Sequence, residues 1–371
     1  PTVNASWSIR TTLEFARIAL AETSASRLRG YGELDAVTAR EVERLEGDLD
    51  RSLEWLMNWL ARGAARDLRA RIERLSGVAL DLSLLHTLEQ IVTERGLVEF
   101  QGALESIVER LEAGTVEVAF FGRVSSGKSS LLNLLLGGPT LPVGVTPVTA
   151  VPIRVEAVGT TAGATIVFAV GPDREVTIER LPQFVSEQGN PGNAKHVVRA
   201  AVRVPTGVLP PGLVLVDTPG VGALASAGAQ AAYRYLPRCD VGVVLVDAAG
   251  SLAAEDVDLV RLLLESGIQP MVLVSKADLV AEAEREILRD YVQGSLERAL
   301  NVSVPVFPVS TVGQDTALAV RWYERELAPL ADRARATALA SAERKLEAVR
   351  GGGVAALKTA YLVPQLPKTR S

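Results

Sequence analysis

A glycine-rich loop between an apolar run and a helical pattern is the part of this sequence best suited to chemistry. Residues 116–133 read VEVAFFGRVSSGKSSLLN, which contains the pattern G-x-x-x-x-G-K-S. Such a loop points successive backbone N–H groups and the positive end of a helix dipole at one spot, which suits a polyphosphate. The pattern predicts that Lys128 reaches the β and γ phosphates and that the Ser129 hydroxyl binds Mg²⁺. The other loop residues expected to line the phosphates are Gly122, Arg123, Ser125, Ser126, Gly127 and Ser130.

A carboxylate at the end of a later strand extends this site toward a metal ion. The tetrapeptide DTPG begins at Asp217, directly after the apolar run 213–216. Because ligands of α/β sheets bind beyond the carboxyl ends of the strands, we expect Asp217 to lie beside the phosphate loop. It would then hold a water molecule of the Mg²⁺ ion, while the N–H group of Gly220 faces the γ phosphate.

The tetrapeptide SKAD at residues 275–278 indicates which base is bound. Its carboxylate, Asp278, can accept the N1–H and exocyclic N2–H groups of guanine, a pairing that adenine cannot offer. Lys276 would lay its alkyl stem along the purine plane, as long cationic side chains do on apolar surfaces. The prolines of the run 304–309 suit an edge strand. The contacts expected with GTP or GDP are completed by Ser275 and by the backbone N–H groups of Ser310 and Thr311.

In this order the motifs resemble those of a GTPase of the translation-factor and Ras superclass. Residues 141–152 read LPVGVTPVTAVP, which resembles the LPxGxxxxT first switch of the dynamin superfamily, especially of its bacterial members. By position, Thr149 would be the switch threonine that closes on Mg²⁺ and the γ phosphate, and Thr146 is a second candidate. Alternating patterns at residues 151–158, 164–170, 175–178 and 197–204, with a short helix near 181–187, predict the enlarged sheet for which dynamin relatives are known.

The resemblance leaves the attacking water without a side chain to orient it. Ras-like enzymes use a glutamine directly after DxxG, where this chain has Val221, and dynamins use one in the phosphate loop, where it has Val124. Ser125 matches the position where dynamins help hold a charge-compensating K⁺ or Na⁺ in the dimer. The resemblance therefore implies slow hydrolysis alone and faster hydrolysis when two G domains pair. The expected catalytic residues are Thr149, Ser125, Gly220 and Lys128, and Arg123 either is a solvated loop residue or acts across such a dimer.

Composition bounds the remaining possibilities. The chain has 371 residues, 48% of them hydrophobic and 5% aromatic, which predicts more than one domain and a core of Ala, Val and Leu. A single cysteine, Cys239, excludes a disulfide framework and is expected to be buried, and two histidines leave no zinc site. A net charge of −5 argues against nucleic acid as a partner. No signal peptide or membrane span is recognisable, so the protein is expected in the cytoplasm, with the resemblance implying peripheral contact at the inner face of the cell membrane.

Helical periodicity flanks the G domain on both sides. Residues 1–114 carry apolar stripes that predict four or five helices, for example Leu45 and Leu49 in a long amphipathic helix. The G domain is expected at 115–312, and in 313–371 a helix from Ala317 to Arg350 is expected to end at three glycines and fold back on the N-terminal helices. The predicted fold is therefore an α/β P-loop GTPase domain with an enlarged, mostly parallel sheet, beside an all-α bundle formed by both termini. The apolar stretch 354–366 is expected to pack on that bundle rather than face a membrane.

Three classes of function are compatible with these patterns. The first is a GTP-hydrolysing, membrane-associated machine of the bacterial dynamin type that pairs with itself, in a G-domain dimer or a higher oligomer, or with a paralogous dynamin-like chain. The second is a GTP-gated interaction module that hydrolyses slowly, which the absent glutamines favour. The third is an Era-like GTPase that acts on the ribosome or RNA.

Overall fold

The computed structural model describes residues 38, 44–45, 47–49, 68–75, 82–94, 98–144, 151–169, 171–220, 235–250 and 252–362, with side chains described as far as residue 352. The strands in these parts of the chain are β1 (Val116–Gly122), β2 (Ile153–Ala157), β3 (Gly163–Phe168), β4 (Arg174–Val176), β5 (Val197–Val204), β6 (Leu213–Asp217), β7 (Val241–Asp247), β8 (Gln269–Ser275) and β9 (Val306–Pro308). The helices are α1 (Leu82–Glu94), α2 (Val98–Ala113), α3 (Lys128–Leu135), α4 (Pro182–Val185), α5 (Ala254–Glu265), α6 (Glu282–Leu300), α7 (Thr316–Trp322), α8 (Ala328–Asp332) and α9 (Ala334–Leu362).

Within the described residues the strands form a nine-stranded sheet in the order β4-β3-β5-β2-β6-β1-β7-β8-β9. Strands β6, β1, β7, β8 and β9 run parallel, so their carboxyl ends meet at one edge. Strand β2 is antiparallel to β6 and parallel to β5, and β3 is antiparallel to both β5 and β4. The α/β class with an enlarged, mostly parallel sheet is confirmed. Strand β9, which contains a proline, is the outermost strand on one side of the sheet, where the missing proline N–H group is tolerated.

Helices cover both faces of the parallel half of the sheet. Strand β1 is apolar almost throughout because it is buried from both sides: Phe120 packs with α3 and α7 on one face, and Phe121 packs with α5 and α6 on the other. Cys239 lies in the second core, where burial raises the pKa of its thiol to about 12. Among the described helices, none combines the length and the apolarity that a bilayer crossing requires.

A third core belongs to the helices beside the sheet. Leu104 and Ile107 of α2 and Leu346 of α9 are buried there together with apolar residues of α1 and of the helical segment 68–74. Leu45 and Leu49, which the sequence pattern puts on an apolar stripe, are helical but 50% and 51% exposed.

The sequence-based end of the C-terminal helix is wrong. Helix α9 continues through Gly351, Gly352 and Gly353 to Leu362. A Cβ atom on Gly352 would lie 2.9 Å from Cε1 of Phe100 on α2, so the missing side chain permits a close approach of two helices instead of a stop.

The expected single helix from Ala317 to Arg350 is also interrupted. A π-helical turn spans Tyr323–Leu327, between α7 and α8, and Arg333 then leaves helical geometry before α9 begins. Pro329 has no N–H group to donate to the carbonyl one turn earlier, and a widened turn accommodates that loss.

Buried charges join the bundle to the sheet at the edge opposite the phosphate loop. We call Arg110, Glu117, Asp240 and Lys345 the joint cluster. Arg110 of α2 contacts Glu117 of β1 at 3.1 Å and Asp240, which precedes β7, at 3.0 Å. Lys345 of α9 contacts the other oxygen of Asp240 at 3.4 Å. Burial opposes the charge of Arg110, but the two carboxylates outweigh it and raise its pKa.

Helix α9 also touches the sheet through a glycine. Gly267, in the turn before β8, has φ +73°, and a Cβ atom there would lie 2.6 Å from the carbonyl carbon of Arg344. The Arg344 Nε group donates to the Gly267 carbonyl at 3.2 Å. Helix α9 is therefore fastened to the sheet by an ion pair and by direct backbone packing.

Candidate functional site

The phosphate-loop sequence forms a turn at the carboxyl end of β1. Gly122 has φ +139°, and a Cβ atom there would lie 2.6 Å from the Leu245 carbonyl oxygen of the neighbouring strand, so only glycine fits. Ser125 (φ 62°) and Gly127 (φ 93°) adopt left-handed backbone conformations before α3 begins. Alternation of right- and left-handed residues at a helix start turns N–H groups inward, which is the geometry of an anion-binding loop.

Lys128, the first residue of α3, is folded over this loop. Its ammonium donates to the carbonyl oxygens of Gly122 and Arg123, each at 3.0 Å, and its side chain is buried. Burial lowers the pKa of Lys128, although the negative charge of Asp217 opposes the shift. The Ser126 hydroxyl is also buried and has no hydrogen-bond partner among the described residues. A desolvated cation and a hydroxyl free to bond suit an anionic ligand.

Ser129 and Asp217 meet across neighbouring strands. Asp217 ends β6, opposite Phe120 of β1, and is fully buried. The Ser129 Oγ donates to Asp217 Oδ2 at 2.5 Å, and the Thr218 Oγ1 donates to the Phe120 carbonyl at 2.6 Å, which fixes the start of the DTPG turn. A hydroxyl and a carboxylate supply the hard oxygen donors that Mg²⁺ prefers, so these residues fit that ion.

The glycine of DTPG lies against the phosphate loop. A Cβ atom on Gly220 would come within 2.9 Å of both the Cα and the backbone N of Val124, so no larger residue fits this position. Val124 itself is 37% exposed and aliphatic, and it offers no group that could orient water. Thr146, Thr149 and Val221, the other residues predicted to concern the reacting phosphate, lie outside the described part of the chain.

The residues predicted to read the base follow β8 and β9 at the same edge. The Ser310 Oγ donates to Asp278 Oδ1 at 2.6 Å and accepts the Val312 N–H at 3.1 Å, so the loop that contains Thr311 orients the carboxylate. The Ser275 Oγ donates to the Val246 carbonyl at 3.2 Å. Lys276 has a left-handed backbone conformation with φ 58°.

Two carboxylates that the sequence motifs do not include hold cations of this site. Asp247, the last residue of β7, contacts the Lys276 ammonium at 2.5 Å. Asp256, in the first turn of α5, lies 3.5 Å from Nε of Arg123, and burial raises the pKa of this carboxyl group. Arg123 is thus held within its own chain. A carboxylate at the end of an apolar strand is the pattern that identifies Asp217, and it could have identified Asp247 as well.

The sheet, the loop at the end of β1 and the Ser129–Asp217 contact define the class of the domain as a P-loop GTPase-like α/β domain. Residues 118–277 match the dynamin family, so this segment is a G domain of the dynamin superfamily.

Individual relatives also match part of the chain. The isoniazid-induced protein IniA of Mycobacterium tuberculosis is 30% identical over 209 residues, which cover 55% of this chain and 32% of that protein. Dynamin-like protein 2 of Campylobacter jejuni is 35% identical over 133 residues, which cover 33% of this chain and 19% of that protein. A solved structure of an oligomerised bacterial dynamin pair aligns with 68% of this chain and 39% of its own, at 20% identity and a TM-score of 0.49. The chain spans about a third or less of the length of these two curated relatives.

Proposed function

We propose that the chain binds GTP with Mg²⁺ at the carboxyl edge of the sheet and hydrolyses it to GDP and phosphate, slowly as a monomer and faster when two G domains pair. In this proposal residues 115–312 are the G domain, and the segments 1–114 and 313–371 form the helical bundle that responds to it. One observation carries the nucleotide site: the 2.5 Å contact between Ser129 and Asp217 lies beside the buried ammonium of Lys128.

Each end of the nucleotide has its own set of residues in this proposal. Lys128, Ser126 and the loop N–H groups hold the β and γ phosphates, and Mg²⁺, when bound through Ser129 and Asp217, neutralises charge on the phosphate oxygens. At the other end Asp278, oriented by Ser310, accepts two N–H groups of guanine.

The attacking water is assigned to backbone groups near Gly220 and to Thr149 of the first switch. The close packing of Gly220 on Val124 supports this role for Gly220, because it keeps the DTPG backbone at the phosphate loop. Ser125 is assigned to a K⁺ or Na⁺ ion that compensates charge in the paired state, a role that rests on the resemblance to dynamins.

Pairing across the nucleotide edge is supported by its exposed aliphatic side chains. Val124, Val143, Leu279 and Val312 are 37%, 55%, 62% and 59% exposed, and each belongs to or directly adjoins a predicted nucleotide motif. Apolar side chains gathered around one site on a surface are typical of an interface. A second copy of the chain would cover them and would exclude water from the phosphates.

The test is specific activity measured from nanomolar to micromolar protein, with GTP and ATP compared. We expect GTP and not ATP to be hydrolysed, with a specific activity that rises with protein concentration. In the Val312→Ser variant the specific activity should no longer rise with protein concentration, but the activity at nanomolar protein should be unchanged. The matched control is Val158→Ser, since Val158 is 46% exposed and follows β2, which runs antiparallel to β6 and therefore ends at the opposite edge of the sheet.

Three outcomes would change the proposal. Equal binding of ATP and GTP would refute the guanine site. Flat specific activity, with or without potassium and lipid, would refute activation by pairing and favour the slow GTP-gated interaction module. Action at a membrane rests on the family alone, and co-sedimentation with ribosomes but not with liposomes would replace it by the Era-like function.

A further inference from the structure

Asp247 lies at the same edge as the nucleotide motifs but belongs to none of them. It ends β7 in register with Ser275 of β8, so its side chain starts beside the segment that leads to Asp278. One carboxylate oxygen accepts the Ala249 N–H at 3.0 Å, and the other lies 2.5 Å from the Lys276 ammonium. The carboxylate is therefore fixed by its own backbone on one side and holds a cation on the other.

This contact determines where the stem of Lys276 runs. The aliphatic stem of Lys276 begins just after β8, where the Lys276 backbone is left-handed. The ammonium at its other end is paired with Asp247 at the end of β7. The stem thus crosses between two neighbouring strand ends, at the edge where Asp278 stands to meet a base. The Lys276 side chain is 39% exposed, so part of its stem is open to a ligand.

The charge state of Asp247 suits this function. Burial alone would raise its pKa, but the hydrogen bonds from Lys276 and Ala249 and the charges of Lys276 and Arg123 outweigh burial and lower the pKa. Asp247 is therefore ionised at neutral pH, and an ionised carboxylate is the partner that restrains an ammonium best.

We propose that Asp247 is a positioning residue for the guanine base, which acts by holding the stem of Lys276 flat beneath the purine. The proposal rests on the proposed guanine-nucleotide site. It differs from a structural role in the turn after β7, where the Asp247 carbonyl accepts the Gly250 N–H at 3.0 Å, because only the positioning role requires Lys276.

A double-mutant cycle separates the two roles. GDP affinity is measured by calorimetry for the wild type, Asp247→Asn, Lys276→Met and the double variant. Asparagine keeps an oxygen for the Ala249 N–H, and methionine keeps an apolar stem without the ammonium. We expect Asp247→Asn to weaken GDP binding by about threefold to tenfold, the range of a partly exposed ion pair, and to have no further effect in the Lys276→Met background.

Two further measurements sharpen the result. IDP lacks the exocyclic amino group that Asp278 binds, and a flat stem contacts the ring plane alone, so Asp247→Asn should weaken IDP and GDP binding by the same factor. Asp247→Glu keeps the charge and should restore most of the affinity. The matched control is Asp258→Asn, since Asp258 is an exposed carboxylate on α5 whose cation is Arg261, and it should leave GDP affinity unchanged.

The inference fails if Asp247→Asn leaves GDP affinity unchanged, or if Asp247→Asn lowers GDP affinity by the same factor in the wild-type and Lys276→Met backgrounds. If Asp247→Asn does not fold, Asp247→Ser replaces it in the cycle with the same expected loss, and Asp247→Glu should still keep most of the affinity. Absence of guanine-nucleotide binding in the wild type refutes the proposed function itself, which distinguishes the two failures.

Discussion

Replacing Asp240 by asparagine tests how firmly the bundle is attached to the G domain. The two side chains have nearly the same volume, so the change removes charge without opening a cavity. Asp240 accepts hydrogen bonds from Arg110 at 3.0 and 3.3 Å and from the Glu117 N–H at 2.9 Å, and it is the carboxylate that Lys345 contacts. The side chains of Arg110, Glu117 and Lys345 are at most 6% exposed.

The cost follows from the ions that remain. Asp240→Asn leaves Lys345 buried without its carboxylate and leaves Arg110 with Glu117 as its remaining carboxylate in the joint cluster. Removing one member of a buried ion pair costs about 3–5 kcal/mol of folding free energy, since water cannot reach the ion that is left. Because the joint cluster joins two separate cores, we also expect the unfolding of the bundle to separate from that of the sheet.

Urea unfolding followed by tryptophan fluorescence and by circular dichroism measures both effects. Asp258→Asn, at an exposed ion pair, should change the unfolding free energy by less than about 0.5 kcal/mol. Adding Lys345→Met to Asp240→Asn should recover part of the loss, because it removes the unpaired cation. A loss of unfolding free energy below about 1 kcal/mol, with fluorescence and circular dichroism transitions that coincide, would show that the joint cluster does not hold the bundle to the sheet.

Three further predictions concern the nucleotide site and the cysteine. Lys128→Ala should weaken GTP binding at least about 100-fold, roughly 3 kcal/mol, because the phosphates lose a desolvated cation, and calorimetry at micromolar GTP would expose retained binding. Asp278→Asn should weaken GTP binding by about 2 kcal/mol and improve the relative affinity for xanthine nucleotides, since a donor replaces an acceptor at the exocyclic group, and unchanged base selectivity in competition assays would contradict it. Cys239, with its pKa raised to about 12, should not react with a thiol reagent at pH 8 in the native protein and should react fully in urea, because the thiolate is the reactive form.

Local motifs predict the parts of the site whose residues follow one another in the chain. The phosphate loop can be predicted from the sequence because its glycines and the apolar patterns of the flanking strand and helix lie within about fifteen residues of one another. The edge position of β9 follows from its own prolines. The parallel sheet then brings Asp217 to Ser129, since strands that run the same way end at the same edge.

Contacts between distant segments escape such patterns. Arg110 and Asp240 are separated by 130 positions, and nothing local in either segment indicates the other. The three glycines in α9 have the local preference of a helix end, but the helix continues through them, and Gly352 packs against the ring of Phe100. Tertiary packing overrides propensity there, and only the structure reveals it.

Strands β1 and β7 connect the two ends of the G domain physically. They are hydrogen-bonded neighbours of seven residues each, about 20 Å long. At one end they carry Gly122 and Asp247, and at the other Glu117 and Asp240. Both strands are buried on two sides, so neither can bend or lengthen without disturbing two cores. We therefore expect a displacement of the phosphate loop to be transmitted along these two strands to the joint cluster.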